Sequence, residues 1–441
     1  MNKYIICILL LAFNTGAFSQ DFNKAKMDSL FSVLSEKNKA MGSLAISKNG
    51  KLVYSNSIGY AVADSMKKVP ATIKTKYRIG SITKMFTAVI IFQLIDEKKL
   101  SLDDKLDKYF PGVVNASKIS IGELLSHRSG LHNFTDDSLF LTYNQKPHSQ
   151  KEMLDIISVM PIDFEPGTKR EYSNTNFVLL GYIAEKISRK TYSELLKKRI
   201  TDKLKLSDTY VGGKTNAGNN ESYSYSYIND WKLEPETDMS VPAGAGAIVS
   251  TPVDLTKFIE GLFAGKLVSD SSLAKMTTVK EGFGMGILQI PFYNKKALGH
   301  NGAIDGFGST LSYFQKDSVA IAYCTNGQLY PMNDILIGIL SIYFNRPYKI
   351  PAFNSISLQS SELDKYLGIY SCEEIPIKIT VSKDKNTLIA QATGQQSFPL
   401  DPSAKDIFRF DRADVTMEFR PDKKEFTLKQ GGGNYLFRMD P

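Results

Sequence analysis

Ser81 and Lys84 stand three residues apart at the start of a long apolar stretch. On a helix, residues at this spacing share one face, so the pair would set a primary amine beside a hydroxyl group. A buried lysine loses its proton readily and can then accept that of a serine, while the helix N-terminus favours negative charge on the serine oxygen. The spacing therefore predicts a serine nucleophile with a lysine partner.

The same S-x-x-K spacing also begins at Ser65 and at Ser382, so the motif is weak by itself. Those two serines have charged, loop-like surroundings, whereas Ser81 has Gly80 before it and a periodic apolar run after it. The alternative for Ser81 is a residue that only caps the helix. The motif alone leaves both interpretations open.

Tyr172 and Asn174 form a Y-x-N in a loop that precedes another helical stretch. This arrangement places a phenol and an amide on one segment. Tyr227 and Asn229 match the same pattern within a tyrosine-rich run, and a loop tyrosine before a helix-capping Asn174 is the simpler alternative. The Y-x-N motif therefore gains weight only together with others.

His300, Asn301 and Gly302 form the single H-x-G of the chain, ahead of a predicted strand hairpin. A glycine at this point permits a close approach of the backbone to a ligand. The three other histidines lack metal-like spacing with Cys, Asp or Glu, and no glycine-rich phosphate loop is present. The sequence predicts neither a catalytic metal nor a cofactor.

Strand patterns at both ends of the first 350 residues flank a helical middle section. Alternating apolar residues over 43–55, around an Asn-Gly turn, predict one hairpin, and residues 311–324 predict another. Three- and four-residue periodicity predicts an almost wholly apolar, buried helix over 83–100. Further helices are predicted over 119–125, 152–159, 176–187, 192–204 and 252–263. Beyond Pro351, short alternating strands predict a small all-β domain.

The first twenty residues have a basic start, an apolar middle and a small-residue exit, which is typical of a secretory signal. The apolar run is too short to span a bilayer. We therefore expect an exported protein, periplasmic or secreted, without a transmembrane anchor. Its Cys324 and Cys372 would be available for pairing in an oxidising compartment, and the sequence leaves that pairing open.

Composition indicates a folded, water-soluble chain with a basic surface. Of 441 residues, 42% are hydrophobic and 23% charged, close to globular averages. The net charge of +8 comes from scattered Lys and Arg residues rather than a cluster, which argues against nucleic-acid binding. The length favours two domains, or one large domain with an appendage. The oligomeric state stays open.

The order S-x-x-K, Y-x-N, H-x-G resembles the serine β-lactamase and penicillin-binding-protein superfamily. The tyrosine motif is similar to the branch with class C β-lactamases, DD-carboxypeptidases, D-aminopeptidases and esterases, and the likeness covers residues 21–345. The stretches 77–88, 119–131 and 243–255 also resemble this family. The resemblance implies an α/β (α+β) fold, with an antiparallel sheet flanked by helices, an α-rich lobe and the site between them.

The resemblance also implies the catalytic roles. Ser81 would attack an acyl carbon, and Lys84 and Tyr172 would move its proton, with the choice of base between these two left open. Asn174 would orient Lys84 and the substrate. Water would then release the acyl group from the enzyme.

Substrate binding and charge stabilisation follow from the same resemblance. The H-x-G residues His300, Asn301 and Gly302 would position the substrate, and His300 would act on the substrate or on the tyrosine of the Y-x-N motif. The backbone amides of Ser81 and Ala303 would form the oxyanion hole.

Two features depart from the β-lactamases of this branch. These enzymes carry a lysine where this chain has His300, so we expect at most weak β-lactamase activity. The second feature is the predicted β domain over residues 355–441, which resembles small barrel-like or lipocalin-like C-terminal domains and is interpreted as a structural cap or spacer. The predicted organisation is a signal peptide (1–20), a serine hydrolase domain (21–350) and this β domain.

The leading functional hypothesis is a D-Ala-D-Ala carboxypeptidase or D-amino-acid peptidase, acting on small acyl or D-amino-acid peptide substrates such as peptidoglycan stems. A carboxylesterase or amidase on small acyl substrates is the alternative enzyme. A catalytically silent binding protein that uses the β domain as its ligand module is the alternative of another class. Intact motifs argue against that last hypothesis.

Overall fold

The computed structural model describes residues 22–64, 67–228, 230–353 and 356–440. The signal peptide predicted for residues 1–20 lies outside these ranges, as do Ser65 and Asn229 of the weaker motif matches. Across the ranges described, every helix is too short or too polar to cross a membrane.

The first 350 residues hold a mixed set of strands and helices. The strands are β1 (Ala40–Lys48), β2 (Lys51–Ile58), β3 (Tyr60–Ala63), β4 (Lys68–Pro70), β5 (Tyr77–Arg78), β6 (Tyr210–Val211), β7 (Tyr225–Tyr227), β8 (Trp231–Leu233), β9 (Ile248–Ser250), β10 (Leu288–Phe292), β11 (Lys295–Ile304), β12 (Phe307–Phe314) and β13 (Val319–Gln328). The helices are α1 (Lys24–Glu36), α2 (Thr83–Asp96), α3 (Ile121–Leu125), α4 (Phe140–Tyr143), α5 (Gln150–Ser158), α6 (Asn174–Ser188), α7 (Tyr192–Leu196), α8 (Asp202–Leu204), α9 (Ala243–Gly246), α10 (Pro252–Phe263), α11 (Asp270–Thr277) and α12 (Met332–Tyr343).

Six strands form the main antiparallel sheet, in the order β10-β11-β12-β13-β1-β2. The β1–β2 hairpin turns through Asn49 (φ 52°) and Gly50 (φ 75°), the left-handed pair that a tight hairpin requires. The second predicted hairpin is β12–β13. Both sequence predictions are confirmed, and they place the two ends of this part of the chain in neighbouring strands, β13 and β1.

Helices cover both faces of the sheet because its strands alternate in side-chain direction. On β13, Ile321 and Tyr323 join the apolar cluster of α1 and α12, whereas Ala322 and Cys324 join the cluster that includes α10. Cys324 is buried there and unpaired, and Cys372 is also a free thiol.

The α2 helix is the centre of the α-rich lobe. Every residue from Thr83 to Leu94 is buried, so the helix has no polar face, as its sequence predicted. Phe86 stacks on Phe258 of α10 with ring centroids 3.7 Å apart. This contact fixes the helix behind Ser81 against the helix that covers the sheet.

Two helix boundaries differ from the sequence prediction. The helix predicted over 83–100 ends at Asp96, because Lys98 adopts a left-handed φ of 58° and the Lys99 amide bonds back to the Leu94 carbonyl. The helix predicted over 192–204 is broken by a π-helical turn at Lys197–Thr201.

The remaining strands close into an eight-stranded barrel in which each strand pairs with the next and β14 pairs with β21. They are β14 (Gly368–Ser371), β15 (Lys378–Asp384), β16 (Thr387–Ala392), β17 (Phe398–Ala404), β18 (Ile407–Phe410), β19 (Val415–Arg420), β20 (Glu425–Gln430) and β21 (Gly433–Met439). Buried rings, among them Tyr366, Phe408, Phe419 and Phe426, contact one another in its interior. The fold class predicted from sequence is confirmed: an antiparallel sheet with helices, an α-rich lobe and an all-β C-terminal part.

Candidate active site

Ser81 lies in a 3₁₀ turn, Gly80–Ile82, that leads directly into α2. Gly80 has a φ of 49°, and a β-carbon there would stand 2.8 Å from both the amide nitrogen and the carbonyl oxygen of Ala303. Only glycine therefore lets the serine turn approach β11 this closely. The turn holds the serine at the N-terminal end of a rigid, buried helix.

Lys84 points its side-chain nitrogen at three oxygens. Its Nζ lies 2.9 Å from Ser81 Oγ, 2.7 Å from Asn174 Oδ1 and 2.9 Å from the Ala245 carbonyl. The side chain is fully buried and forms no ion pair with any carboxylate of the described ranges. Burial without a counter-ion holds the pKa of Lys84 well below its usual range.

Tyr172 approaches Ser81 from the other side. Its hydroxyl donates to Ser81 Oγ at 2.7 Å, and Lys84 Nζ lies 4.9 Å from the centre of its ring. Burial raises the pKa of Tyr172 to about 12, so the phenol stays protonated at neutral pH. The serine oxygen thus has an amine on one side and a phenol on the other.

Asn174 is the first residue of α6 and links the lysine to the loop before α4. Its Oδ1 receives the Lys84 hydrogen bond, and its Nδ2 donates to Asn133 Oδ1 and Thr135 Oγ1, both at 3.1 Å. Because both ends of the amide are engaged, its orientation is determined. No sequence motif predicted that Asn133 and Thr135 contact Asn174.

His300 is buried on β11, and its Nδ1 lies 2.5 Å from the Asn301 carbonyl. Burial lowers the pKa of His300 to about 3, so the ring is neutral at neutral pH. Its ring centre is 6.3 Å from that of Tyr172. Asn301, by contrast, is exposed.

Gly302 lets β11 pass tightly beneath the serine turn. A β-carbon at this position would lie 2.0 Å from the Ile79 carbonyl oxygen and 3.0 Å from the Ser81 amide nitrogen. Together with Gly80, it brings the backbone of Ser81 beside that of Ala303, where two amides can serve one oxyanion. The close approach expected of the H-x-G glycine is thus made to the protein's own chain.

The competing motif matches lie elsewhere in the fold. Ser382 is on strand β15 of the barrel, and Tyr227 is on β7, with its ring against Trp231. The structure therefore brings together Ser81, Lys84 and Tyr172 from separate parts of the sequence and leaves Ser382 and Tyr227 outside this group.

His127 is a residue of this site that the motifs missed. It is buried, has a left-handed φ of 57°, and places its ring 4.6 Å from the Tyr172 ring. Its Nδ1 accepts the backbone N–H of Ser173 at 3.2 Å, so it also holds the segment between the tyrosine and Asn174. Burial keeps the pKa of His127 well below its usual range, which makes this acceptor available.

Beside Ser81 is a cavity of about 210 Å³ whose lining includes Asn174, the Ala303–Asp305 segment and several apolar side chains. One residue of its lining, Asp305, belongs to an ionic network. Arg78, almost fully buried, donates to Asp305 at 3.1 Å and to Glu236 at 2.6 Å, and Asp305 also accepts from the Thr237 hydroxyl at 2.7 Å.

The chain matches the family model described as Beta-lactamase over residues 27–337. It is 26% identical to penicillin-binding protein 4* of Bacillus subtilis (strain 168), covering 93% of this chain and 97% of that protein. It is 28% identical to the teichoic acid D-alanine hydrolase of Staphylococcus aureus (strain MRSA252), covering 65% of this chain and 70% of that protein.

Solved structures agree with this match. The D-amino acid amidase from Ochrobactrum anthropi SV3 in complex with D-phenylalanine superposes with a TM-score of 0.64 at 26% identity, covering 73% of this chain and 99% of that one. The octameric penicillin-binding protein homologue from Pyrococcus abyssi superposes with a TM-score of 0.64 at 24% identity, covering 94% of this chain and 99% of that one. This likeness supports the fold alone. The chain belongs to the Beta-lactamase family and is a serine hydrolase of the β-lactamase and penicillin-binding-protein superfamily.

Proposed function

We propose that this enzyme hydrolyses D-amino-acyl peptides and amides through an acyl-enzyme on Ser81. The observation that carries the proposal is the position of Ser81 Oγ, 2.9 Å from Lys84 Nζ and 2.7 Å from the Tyr172 hydroxyl. A serine hydroxyl between two groups that exchange protons is the arrangement expected of an activated nucleophile.

Lys84 is the better candidate for the base. A neutral amine has two N–H donors and one lone pair, and Asn174 Oδ1 and the Ala245 carbonyl are pure acceptors that take the two donors. The lone pair then faces Ser81. Tyr172, with its raised pKa, is a poor base and a good proton donor.

In the proposed reaction, Ser81 Oγ forms a bond to the substrate carbonyl carbon as its proton passes to Lys84 Nζ. The amides of Ser81 and Ala303 stabilise the tetrahedral oxyanion. The carbon–nitrogen bond of the substrate then breaks, and the proton reaches the leaving nitrogen from Lys84 through the Tyr172 hydroxyl. Water then attacks the acyl carbon and gives a proton to Lys84. The bond between that carbon and Ser81 Oγ breaks, and Lys84 returns the proton to Ser81 Oγ.

The D-amino-acyl assignment draws on the relatives. Two of those named above are, by their names, a teichoic acid D-alanine hydrolase and a D-amino acid amidase. Carboxypeptidase action on D-Ala-D-Ala needs recognition of a terminal carboxylate. Near this site His300 is neutral and Arg78 is engaged by two carboxylates, which favours amides and internal peptide bonds.

Hydrolysis of small carboxylic esters is the second candidate, because an ester needs the same nucleophile and oxyanion stabilisation but no protonation of a leaving nitrogen. A neutral His300, where β-lactamases of this branch have a lysine, supports at most weak β-lactamase activity.

We propose that the enzyme acts outside the cytoplasm, with D-amino-acid peptides such as those of peptidoglycan stems as candidate substrates. The composition of residues 1–20 supports this location. The mass of the protein recovered from an export-competent host tests it: export predicts a mature chain that begins near Gln20 or Asp21, whereas an intact Met1 chain retained in the cytoplasm would contradict it.

Turnover of D-alanine amide, D-Ala-D-Ala and p-nitrophenyl acetate, measured side by side, tests the substrate assignment. We expect D-alanine amide to exceed D-Ala-D-Ala, and Ser81→Ala to lose at least about 10³-fold on every substrate. Turnover of the ester alone would assign the protein as an esterase. Covalent labelling by penicillin, measured in parallel, would favour a DD-peptidase.

A further inference from the structure

The cavity beside Ser81 lies to one side of the reacting oxygen. Its lining includes Ser81, Asn174 and the Ala303–Asp305 segment, whereas Tyr172 and His300 are not part of it. The position of the cavity relative to Tyr172 decides which half of a substrate it can hold.

The leaving group must receive a proton as its bond to the carbonyl carbon breaks. The phenol that donates to Ser81 Oγ is Tyr172, so the leaving group must lie on the side of Tyr172. The acyl half of the substrate then extends the opposite way, along Ala303–Asp305 and into the cavity. The cavity is therefore an acyl pocket.

Part of its wall is apolar, beside the polar residues Ser81, Thr135, Asn174, Thr237 and Asp305. The side chains of Phe134, Phe140, Val241, Pro242 and Ile304 line it. Phe134 and Val241 are buried, and Phe140 packs edge-on against Phe134 with ring centres 5.9 Å apart. This apolar part of the wall gains free energy from covering apolar surface of the ligand.

Its volume limits the ligand to one side chain. At about 210 Å³ the cavity is smaller than the ~300 Å³ at which pockets for drug-sized ligands begin. One aliphatic or phenyl side chain fits this space.

The ionic network at Asp305 carries a net negative charge. Asp305 lines the cavity, and the charged groups around it are the Arg78 guanidinium and the Glu236 carboxylate. Two carboxylates on one guanidinium leave an excess of one negative charge. Asp305 Oδ1 already accepts from the backbone and hydroxyl of Thr237, at 3.1 and 2.7 Å, and its Oδ2 accepts from Arg78. An anionic acyl side chain would meet repulsion here. A cationic one would lose its hydration without a free partner, because Arg78 and Thr237 already engage the Asp305 oxygens.

We infer that this enzyme selects D-amino-acyl groups with an uncharged, apolar side chain up to the size of a phenyl ring, and that Phe134, Phe140, Val241 and Ile304 determine this specificity. The inference rests on the proposed function and names the substrate class of the same site.

A series of D-amino-acyl p-nitroanilides tests the inference on the unmodified full chain. We expect kcat/KM for the D-Phe and D-Leu compounds to exceed that for D-Ala at least about tenfold, with D-Glu at background. A preference for D-Ala, D-Glu or D-Lys would overturn it. In each preparation, labelling of Ser81 by a small fluorophosphonate reports whether the nucleophile is active.

Two substitutions locate the selectivity. Ile304→Trp fills the cavity from a half-buried position and should reduce the D-Phe to D-Ala ratio of kcat/KM about tenfold or more. Leu141→Trp, at a neighbouring position of Phe140 that is 72% exposed, is the matched control and should leave the ratio unchanged. An unchanged ratio in Ile304→Trp would overturn the assignment of the walls.

The outcomes separate the two proposals. If Ser81 is labelled normally but no D-amino-acyl compound is hydrolysed, the proposed function is contradicted. Turnover of D-amino-acyl compounds without preference for apolar side chains contradicts the acyl pocket alone. Should Ile304→Trp fail to fold, the substrate series on the unmodified chain still decides the inference.

Discussion

At the residue scale, Lys84 is a buried amine without a counter-ion. If its neutral form is the base, acylation requires its deprotonation, so the rate rises with pH as Lys84 loses its proton. Because its pKa lies well below the usual value of about 10.4, this rise ends before that pH, and the rate then stays level until Tyr172 ionises near pH 12.

Single-turnover acylation by D-phenylalanine p-nitroanilide across pH measures this profile, because departure of its leaving nitrogen needs the Tyr172 proton. Lys84→Arg keeps a permanent positive charge and should lose about 10²–10⁴-fold of the rate at every pH. A rate in the unmodified enzyme that is still rising above pH 10 would show that Lys84 has an ordinary pKa and would contradict the assignment.

Gly80 is a second residue on which the account depends. Gly80→Ala adds a β-carbon 2.8 Å from the Ala303 backbone and enforces a left-handed alanine, so we expect acylation to fall about 10²-fold. Gly50→Ala is the matched control, since Gly50 is also left-handed and open space surrounds its β-carbon position. Both variants should lose about 1–2 kcal/mol of stability from backbone strain, and Gly80→Ala should lose more because its β-carbon also meets the Ala303 backbone.

Thermal unfolding and acylation rates, measured on both glycine variants, separate strain from site geometry. Loss of acylation in Gly80→Ala alone is the expected result. Equal acylation in the two variants would mean that the close approach of the serine turn to β11 is not required.

At the element scale, the N-terminal ends of α2 and α6 carry the reacting groups, and the loop after α3 supports them through His127. Asparagine tolerates the left-handed backbone of position 127. His127→Asn therefore removes the ring beside Tyr172 with little added strain. We expect kcat to fall about tenfold or more with little change in KM, since the phenol loses its support.

The alkaline limb of the pH profile distinguishes positioning from a general structural effect. Opening of the space beside Tyr172 should return its pKa from about 12 towards the usual value of about 10, which shifts the alkaline limb downwards. His132→Asn, whose side chain faces Asp163, is the control. An unchanged alkaline limb in His127→Asn would leave His127 with a purely structural role.

Much at this scale was predictable from local sequence. The apolar period of α2 and the spacing of Ser81 and Lys84 depend on neighbours along the chain, so the helix and the pair followed from periodicity. The contact of His127 with Tyr172 joins segments 45 residues apart, and no periodicity in the sequence predicts it. The end of α2 at Asp96 depends on the left-handed backbone of Lys98, and no glycine at that position marks the helix end in the sequence.

At the scale of the whole molecule, the barrel contacts the first part of the chain at Lys39. This buried lysine pairs with Asp401 and, at 3.6 Å, with Asp411, both of the barrel. The sequence predicted strands here, but the closure of β14 on β21 and this ion pair depend on tertiary contacts. Since rings fill the barrel interior, we interpret it as a structural unit rather than a ligand module.

Lys39→Met tests that interpretation. It keeps an apolar stem but loses both ion pairs, which are partly exposed on the barrel side, so the cost should be about 1 kcal/mol. Limited proteolysis should cut faster around residues 346–362, with Ser81 acylation unchanged. Lys378→Met, which breaks an ion pair within the barrel, is the control. A large loss of acylation in Lys39→Met would instead indicate a catalytic contribution of the barrel contact.

The central claim is that Ser81 is the nucleophile, and covalent labelling tests it most directly. The full chain is treated with a fluorophosphonate, its intact mass is measured and the labelled peptide is identified, with Ser81→Ala in parallel. The account predicts one adduct, on the peptide that contains Ser81, and none in Ser81→Ala. An adduct that persists in Ser81→Ala, or no adduct on the unmodified enzyme, would contradict it.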